Sequence, residues 1–180
     1  MNGIRVENTH HLSAKTIVID GLAIALVFTA AMLLRVQIPI AGVGGMIHLG
    51  DLPLFVFAIL YGRRTGALSG AIGLALFDLL SGWAPWAPFT LVLAGVMGWF
   101  VGSAAEGNPE LNIIPFGVSM LVANGITIVG YYITEGILYG NWIAPVTSIP
   151  VNFCQVTLAG VLAYPISKRL RPYTRQRGVQ

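Results

Sequence analysis

Charged side chains are scarce in this chain. Only 9% of its 180 residues are Asp, Glu, Lys or Arg, whereas 56% are hydrophobic. A water-soluble domain of this length needs more charge to cover its surface, so the composition argues against a soluble globular protein. A single cysteine excludes an internal disulfide, and its apolar surroundings predict that Cys154 is a small buried core residue. The composition predicts an all-α integral membrane protein that forms a single domain over residues 1–180.

Motifs of enzymes and nucleotide-binding proteins are also missing. The chain contains no H-E-x-x-H, no G-x-S-x-G and no phosphate-binding loop. His48 and the two N-terminal histidines form no ligand set with Cys154, so we expect no metal, no cofactor and no enzyme activity. The basic tail of Arg171, Arg175 and Arg177 is typical of a cytoplasmic helix end, so nucleic acid is not an expected partner.

Six apolar blocks predict six membrane-spanning helices, each of which needs ~20 mostly apolar residues. The second and third blocks are short, and the turn Gly62–Thr65 separates them. Five spans, or four spans with re-entrant pieces, remain open. The blocks are Thr16–Leu34, Leu52–Tyr61, Gly66–Leu80, Pro88–Ala105, Ile113–Tyr132 and Ile149–Ile166.

The placement of basic residues favours six spans with both termini in the cytoplasm. In that arrangement every Lys and Arg except Arg35 falls on the cytoplasmic side, as the positive-inside rule predicts. Residues 1–15 then form a cytoplasmic N-terminal segment, and residues 168–180 form a basic cytoplasmic tail. We therefore expect a multi-pass membrane protein.

Polar residues recur at helical spacing on the fifth and sixth spans. On one face of the fifth span lie Asn124, Thr127, Tyr131 and Glu135; on the sixth lie Ser148, Asn152 and Gln155. The two faces could hydrogen-bond to each other as contacts between helices, or they could line a polar pocket open to the outside. Glu135 favours the pocket, because a carboxylate makes a poor contact between helices without a cation.

Three aspartates lie near the ends of the first three spans. An acid within a membrane costs ~2.5–3.5 kcal/mol on insertion scales and tends to face a cavity, which predicts a functional role for Asp78. Asp51 starts the second span, where a helix cap and a ligand contact both fit. Asp20 lies at the inner end of the first span and is predicted to be solvated at the interface.

Aromatic and small residues form two further patterns. Trp83 and Trp86 lie between Gly and Pro in an outer loop and are the best candidates for stacking on a flat ligand, although an interfacial aromatic belt is the alternative. On the first span a stripe of small residues allows another helix to approach, either inside the bundle or from a partner. This stripe is Gly21, Ala25 and Thr29.

Five short motifs occur in order along the chain. They are G-M-I-H-L-G-D (45–51), F-D-L-L-S-G (77–82), A-P-F-T (87–90), E-G-I-L-Y-G (135–140) and I-P-V-N-F-C-Q (149–155). In this order and spacing the chain resembles the substrate-binding S components of energy-coupling factor (ECF) vitamin transporters. It is most similar to the branch that covers riboflavin, hydroxymethylpyrimidine and pyridoxine.

The resemblance implies a six-helix S component of the bacterial plasma membrane, with a vitamin site in its outer half that is closed by the loop after the first span. It also implies association with a transmembrane coupling subunit and two ATPase subunits, met through the small residues of the first span. Thr29 stands where an alanine is usual in that stripe. Ala94 stands where related proteins often carry a lysine, so a substrate with a phosphate or carboxylate is not expected.

The residues and the resemblance together give a vitamin-binding hypothesis. Glu135 would accept hydrogen bonds from the ligand, Asn152 and Gln155 would read its ring edge, and a tryptophan would stack on it. The predicted substrate-binding set is Glu135, Asn152, Gln155, Trp83, Trp86, Asp78, Asp51, Thr90 and Tyr131. A stand-alone proton-coupled carrier that uses Glu135 or Asp78, and an intramembrane enzyme or scaffold, are the alternatives.

Overall fold

The computed structural model describes residues 13–40 and 43–176, without the side chains of 38–40, 43–45 and 175–176. Most of the predicted N-terminal segment, including Arg5, and the end of the basic tail, including Arg177, lie outside the described residues. Within them the chain forms six α-helices, a short 3₁₀ segment and one β-hairpin. The helices are α1 (Ala14–Leu33), α2 (Asp51–Tyr61), α3 (Arg63–Ser81), α4 (Ala87–Glu106), α5 (Ile113–Tyr139) and α6 (Ile149–Gln176), and the 3₁₀ segment is Ala144–Ser148.

Each predicted apolar block corresponds to one helix, but α5 and α6 run further than predicted. α5 continues past Tyr132 to Tyr139, because Thr134 and Glu135 are buried against neighbouring elements rather than exposed at a helix end. α6 continues past Ile166, and the described part of the basic tail is therefore helical. Both extensions follow polar residues that a hydropathy pattern treats as a boundary.

Four helical segments of the described chain are long and apolar enough to cross a membrane. α2 has only 11 residues, and α3 is less apolar over its 19 residues, so six complete spans remain a prediction. The four segments are Ala14–Leu33, Ala87–Glu106, Ile113–Tyr139 and Ala144–Thr174.

The glycine-rich stretch between α1 and α2 is a β-hairpin, whereas the sequence predicted a loop. Strands β1 (Arg35–Ile40) and β2 (Val43–His48) pair antiparallel, with Arg35 opposite His48. A hydrogen bond from the Leu49 N–H to the Leu34 carbonyl, at 3.0 Å, closes the base of the hairpin. The described structure is therefore predominantly helical but not purely so.

Close backbone contact joins α3 to α4. A Cβ added at Gly66 would lie 2.5 Å from the carbonyl oxygen of Gly98, and one added at Gly70 would overlap the carbonyl of Ala94. Any larger residue at these glycines would force the two helices apart. Gly66 and Gly70 therefore serve packing within the bundle, and α3 and α4 form the most extensive helix pair of the structure.

Polar contacts join the helix ends on the side away from the hairpin. Asp20 is buried, accepts a hydrogen bond from the Thr65 hydroxyl at 2.7 Å and pairs with Arg64 at 3.0 Å. The prediction that Asp20 is solvated is therefore wrong, because α3 covers it and supplies both partners. Nearby, the buried guanidinium of Arg171 donates to the carbonyls of Ala105 and Asn108 at the end of α4.

The stripe of small residues on α1 faces away from the bundle. α1 buries Ala23, Val27 and Ala31 against the bundle, whereas the predicted stripe of Gly21, Ala25 and Thr29 lies on its exposed face. The stripe is therefore not used for packing within the described chain.

Cys154 is exposed on α6, which makes the core prediction for it wrong. An apolar neighbourhood cannot distinguish core from lipid-facing surface in such a helix.

Candidate ligand-binding site

A polar pocket opens at the end of the bundle that carries the hairpin. Its empty volume, including the part open to solvent, is about 570 Å³. Strand β2, the end of α3, the turn after α3, α5 and the start of α6 all contribute to its wall. The lining residues are Met46, His48, Asp78, Trp83, Trp86, Tyr131, Glu135, Ser148, Val151, Asn152 and Gln155.

Asp78 enters the pocket from the last turn of α3. The Thr90 hydroxyl serves as a hydrogen-bond partner of its carboxylate and also lies 3.0 Å from the Tyr131 hydroxyl. No described residue donates a hydrogen bond to Asp78 Oδ2, although this atom is buried. Thr90 thus holds the Asp78 carboxylate, and one carboxylate oxygen remains available to another hydrogen-bond donor.

Glu135 has the same arrangement on α5. Its carboxylate is paired with the side chain of Ser148, while Oε2 is buried and receives no hydrogen bond from the described residues. Tyr131, one helical turn earlier, lies close enough to Asp78 and Glu135 to interact with the charge of both. The pocket therefore contains two neighbouring carboxylates that each keep a free acceptor.

Gln155 connects three elements at the base of the pocket. Its side-chain oxygen accepts a hydrogen bond from the His48 backbone N–H at 3.0 Å, and its Nε2 donates to Asp51 Oδ2 at 2.8 Å. One side chain of α6 thereby holds the end of strand β2 and the start of α2. Asp51 is 2% exposed and lies behind the pocket wall.

His48 is the only lining residue with an imidazole ring. Its Nδ1 accepts a hydrogen bond from the Gly50 N–H at 3.3 Å, and its ring meets the edge of Phe77 with centroids 5.0 Å apart. Removal of the ring from water lowers the pKa of His48 below its ordinary value, although the nearby Asp51 carboxylate opposes this shift. The neutral ring that results leaves the other nitrogen as a hydrogen-bond donor.

The two tryptophans form one aromatic group at the mouth of the pocket. Trp83 and Trp86 meet edge to face with centroids 4.9 Å apart, and Trp86 meets Tyr139 at 5.8 Å. Tyr132 and Trp142 form a separate pair, and Trp142 is 53% exposed. The predicted aromatics therefore divide into a group that lines the pocket and a pair at the outer surface.

The structure brings most of the predicted substrate-binding residues together. Seven of the nine line the pocket, whereas Asp51 and Thr90 support it from behind. The polar face of α5 fulfils both alternatives that the sequence left open. Its C-terminal part, with Tyr131 and Glu135, reaches the pocket, whereas its N-terminal part makes contacts inside the bundle. There Asn124 donates to the Thr157 hydroxyl on α6 at 3.4 Å.

Three lining residues were missed by the sequence analysis. Met46, His48 and Val151 belong to the wall, although the sequence indicates no ligand-binding role for them. The signal was present, since Met46 and His48 lie in the G-M-I-H-L-G-D motif that carries the family resemblance. In the part of the chain that the structure describes, no group of three His, Cys, Asp or Glu side chains is placed to hold a metal ion.

Relatives of the chain share most of its length. Over 155 residues it is 30% identical to the thiamine precursor transporter HmpT of Lactococcus lactis subsp. cremoris, an alignment that covers 86% of this chain and 84% of that protein. It is 33% identical over 141 residues to an uncharacterised protein of Pyrococcus woesei, with 76% of this chain and 93% of that protein covered. A UPF0397 protein of Streptococcus agalactiae is 31% identical over 117 residues, which cover 61% of this chain and 63% of that protein.

A known family of transport components matches most of the chain. Residues 11–172 match the family of ECF-type riboflavin transporter S components, which are membrane transport components and not enzymes. The match includes every helix described above except the last residues of α6. The chain therefore belongs to the family of S components of ECF-type transporters.

Proposed function

We propose that this protein is the substrate-binding subunit of an ECF importer and captures a B-vitamin or vitamin precursor related to hydroxymethylpyrimidine or pyridoxine. The ligand enters the pocket at the hairpin end. A transmembrane coupling subunit and two ATPase subunits then drive its uptake. The Lactococcus relative is named a thiamine precursor transporter, which supports a vitamin precursor as the ligand.

One observation carries this proposal: polar side chains from three helices converge on a pocket whose mouth is aromatic. Asp78, Glu135 and Asn152 come from α3, α5 and α6, and each lines the same space. Trp83 and Trp86 offer ring faces for a flat heterocycle. A site built only to hold helices together would pair these groups with each other and leave no open volume.

The distribution of basic residues supports an outward-facing pocket. Among described side chains, Arg35 lies at the pocket end, whereas Arg63, Arg64 and Arg171 lie at the opposite end with the loop after α4. By the positive-inside rule, this distribution supports a pocket that faces outside the cell and an opposite end that faces the cytoplasm.

The identity of the ligand can be tested directly. The full chain is purified in detergent without added vitamins, and any copurifying small molecule is identified by mass spectrometry. Hydroxymethylpyrimidine, pyridoxine, thiamine and riboflavin are then titrated by calorimetry. We expect submicromolar binding of at least one compound and its loss in Glu135→Gln. Failure of all four to bind, with no copurifying ligand, would contradict the proposal.

The exposed stripe on α1 gives a test of the partner. Ala25→Trp adds a bulky ring to a face that the chain itself leaves open, and we expect it to prevent copurification with the coupling subunit without changing ligand affinity. Leu121→Trp, on the exposed face of α5, is the matched control and should keep the complex. Equal copurification of both variants would assign the stripe to lipid contact alone.

A proton-coupled carrier remains the second candidate, because two carboxylates of the pocket keep an oxygen without a partner. The two functions differ in the source of energy. Uptake into vesicles that contain this chain alone, abolished by an uncoupler, would favour the carrier. Uptake that needs the coupling subunit and ATP would favour the importer.

A further inference from the structure

The segment that connects α5 to α6, residues 140–148, carries no charged residue and exposes large apolar side chains. Trp142 is 53% exposed, Ile143 is 81% exposed and Val146 is 51% exposed. Several large apolar side chains exposed side by side usually mark a surface that contacts a membrane or another protein. We therefore expect this connecting segment to be covered in the working protein.

The connecting segment has one face toward the bundle and one face away from it. Side chains three residues apart lie above one another in a 3₁₀-helix, which is the conformation of Ala144–Ser148. Pro145 and Ser148 are buried, and Ser148 lines the pocket. Ile143 and Val146 point away from the bundle. Together with the neighbouring tryptophan they form an apolar surface, which we call the outward face.

Lipid is the covering that fits the outward face. The apolar stretch Ala144–Thr174, which is long enough to cross a membrane, begins inside the connecting segment. The ring of Trp142 packs on α5 at Gly136, and the nearby Ile133 and Ile137 are also exposed. The outward face therefore continues the apolar surface of the spans, at a level where tryptophan is enriched between hydrocarbon and water.

Contacts with α5 join the outward face to the wall of the pocket. The Tyr132 hydroxyl donates to the Trp142 carbonyl at 2.9 Å, and a Cβ added at Gly136 would overlap the Trp142 ring. At the other end of the segment, the Ser148 side chain is hydrogen-bonded to the Glu135 carboxylate. A displacement of the outward face would therefore also displace Ser148 from Glu135.

We propose that the connecting segment is a lipid-anchored wall of the pocket. Its outward face inserts into the interface of the leaflet at the pocket end, and this insertion holds Ser148 on Glu135. The anchoring does not depend on a ligand, whereas its effect on ligand affinity rests on the proposed function. The affinity of the pocket then depends on side chains that point away from it.

Insertion is measured with spin labels on the full chain in phosphatidylcholine nanodiscs, without ligand. In a Cys154→Ser parent, one labelled cysteine replaces Ile143, Val129 on the exposed face of α5, or Glu110 in the exposed loop after α4. Relaxation by oxygen, which partitions into lipid, is compared with relaxation by a water-soluble nickel chelate. We expect the label at Ile143 to match the one at Val129.

Two other results of this measurement would overturn the inference. A label at Ile143 that matches the one at Glu110 would place the outward face in water. A label that is protected from both reagents would place it against a second protein molecule.

A matched pair of variants tests whether the outward face holds the wall. Ile143→Asn and Ile114→Asn make the same change at isoleucines that are 81% and 77% exposed, at the pocket end and at the opposite end. We expect Ile143→Asn to speed amide hydrogen exchange in residues 140–148 by about tenfold, because one isoleucine no longer favours the inserted state. Ile114→Asn and the apolar Ile143→Leu should leave this exchange unchanged. Equal exchange in all of these variants would overturn the coupling.

Ligand titration separates this inference from the proposed function. Hydroxymethylpyrimidine, pyridoxine, thiamine and riboflavin are titrated in nanodiscs. A compound that binds the parent should bind Ile143→Asn about tenfold more weakly and Ile114→Asn within about threefold. Unchanged affinity in Ile143→Asn would overturn the effect on the pocket. Absence of binding by all four compounds would contradict the proposed function, and the label and exchange measurements would still decide whether the segment is anchored.

Discussion

Gln155 holds the hairpin closed, and its replacement should weaken ligand binding strongly. Gln155→Leu removes one hydrogen bond to the His48 N–H and one to the Asp51 carboxylate. A neutral hydrogen bond contributes about 1 kcal/mol and one to a charged group about 1.5–3 kcal/mol, which gives about 2.5–4 kcal/mol together. Because about 1.4 kcal/mol corresponds to a tenfold change in an equilibrium constant, the ratio of closed to open hairpin falls by about 60- to 700-fold.

The part of the affinity loss that comes from hairpin opening is this factor at most, because only a hairpin that is open in the free protein reduces the apparent affinity in this way. The assay combines calorimetry with distance measurements between spin labels at Val36 and Val146. Both positions are exposed, and they lie on the hairpin and on the segment before α6. We expect one narrow distance in the parent protein and a broad distribution in Gln155→Leu.

The single cysteine of the chain must first be replaced, so Cys154→Ser serves as the parent. This change lies next to Gln155 in sequence but on the exposed face of α6, which makes it a control for general damage to the helix. If Gln155→Leu matches the parent in distance distribution and within about threefold in Kd, the hairpin is held by other contacts and this reasoning is refuted.

Three further predictions concern packing, pH and the end of α4. Gly98→Val should lower the stability by about 1–3 kcal/mol in a thermal unfolding assay, because its side chain meets the backbone of α3, whereas Gly125→Ala, with nothing within 4 Å of the added carbon, should be neutral. Burial lowers the pKa of His48 in the closed hairpin. Below pH 6.5, its ordinary pKa, His48 therefore takes up a proton in open forms of the hairpin and resists protonation in the closed form. The closed fraction of the hairpin, measured by the same spin-label distance, should therefore fall as the pH drops below about 6.5; a profile that His48→Gln leaves unchanged would contradict this assignment. Arg171→Met should lower the stability by about 2–4 kcal/mol, because two carbonyls at the end of α4 lose a charged donor, and the exposed Arg169→Met should not.

The sequence predicts the helices well because apolar runs and their breaks are local properties. It fails where a polar residue is buried by a distant partner. Asp20 looks like an interfacial acid until Thr65 and Arg64, 45 and 44 residues later, are placed beside it. Cys154 fails for the opposite reason, because an apolar run has the same composition whether it faces the core or lipid.

Residues of the ligand pocket can likewise be predicted where the signal is local in the sequence. Tyr131 and Glu135 on α5, and Asn152 and Gln155 on α6, are found from spacing alone, since helical periodicity puts each pair on one face. Asp51 was also identified, but its partner could not be, because the contact with Gln155 joins residues 104 positions apart. The hairpin was missed because glycine-rich segments with a proline usually indicate loops, and pairing at the edge of a small sheet overrides that preference here.

The short helix α2 has a consequence for how such a pocket can open. Its 11 residues rise about 16 Å, roughly half of a hydrocarbon layer of ~30 Å, so α2 by itself is too short to cross the layer. An unpaired backbone group away from water costs several kcal/mol, so separating the two strands one residue at a time is expensive. A movement of the hairpin as one unit about Leu34 and Leu49 would open the pocket and keep every hydrogen bond between its strands.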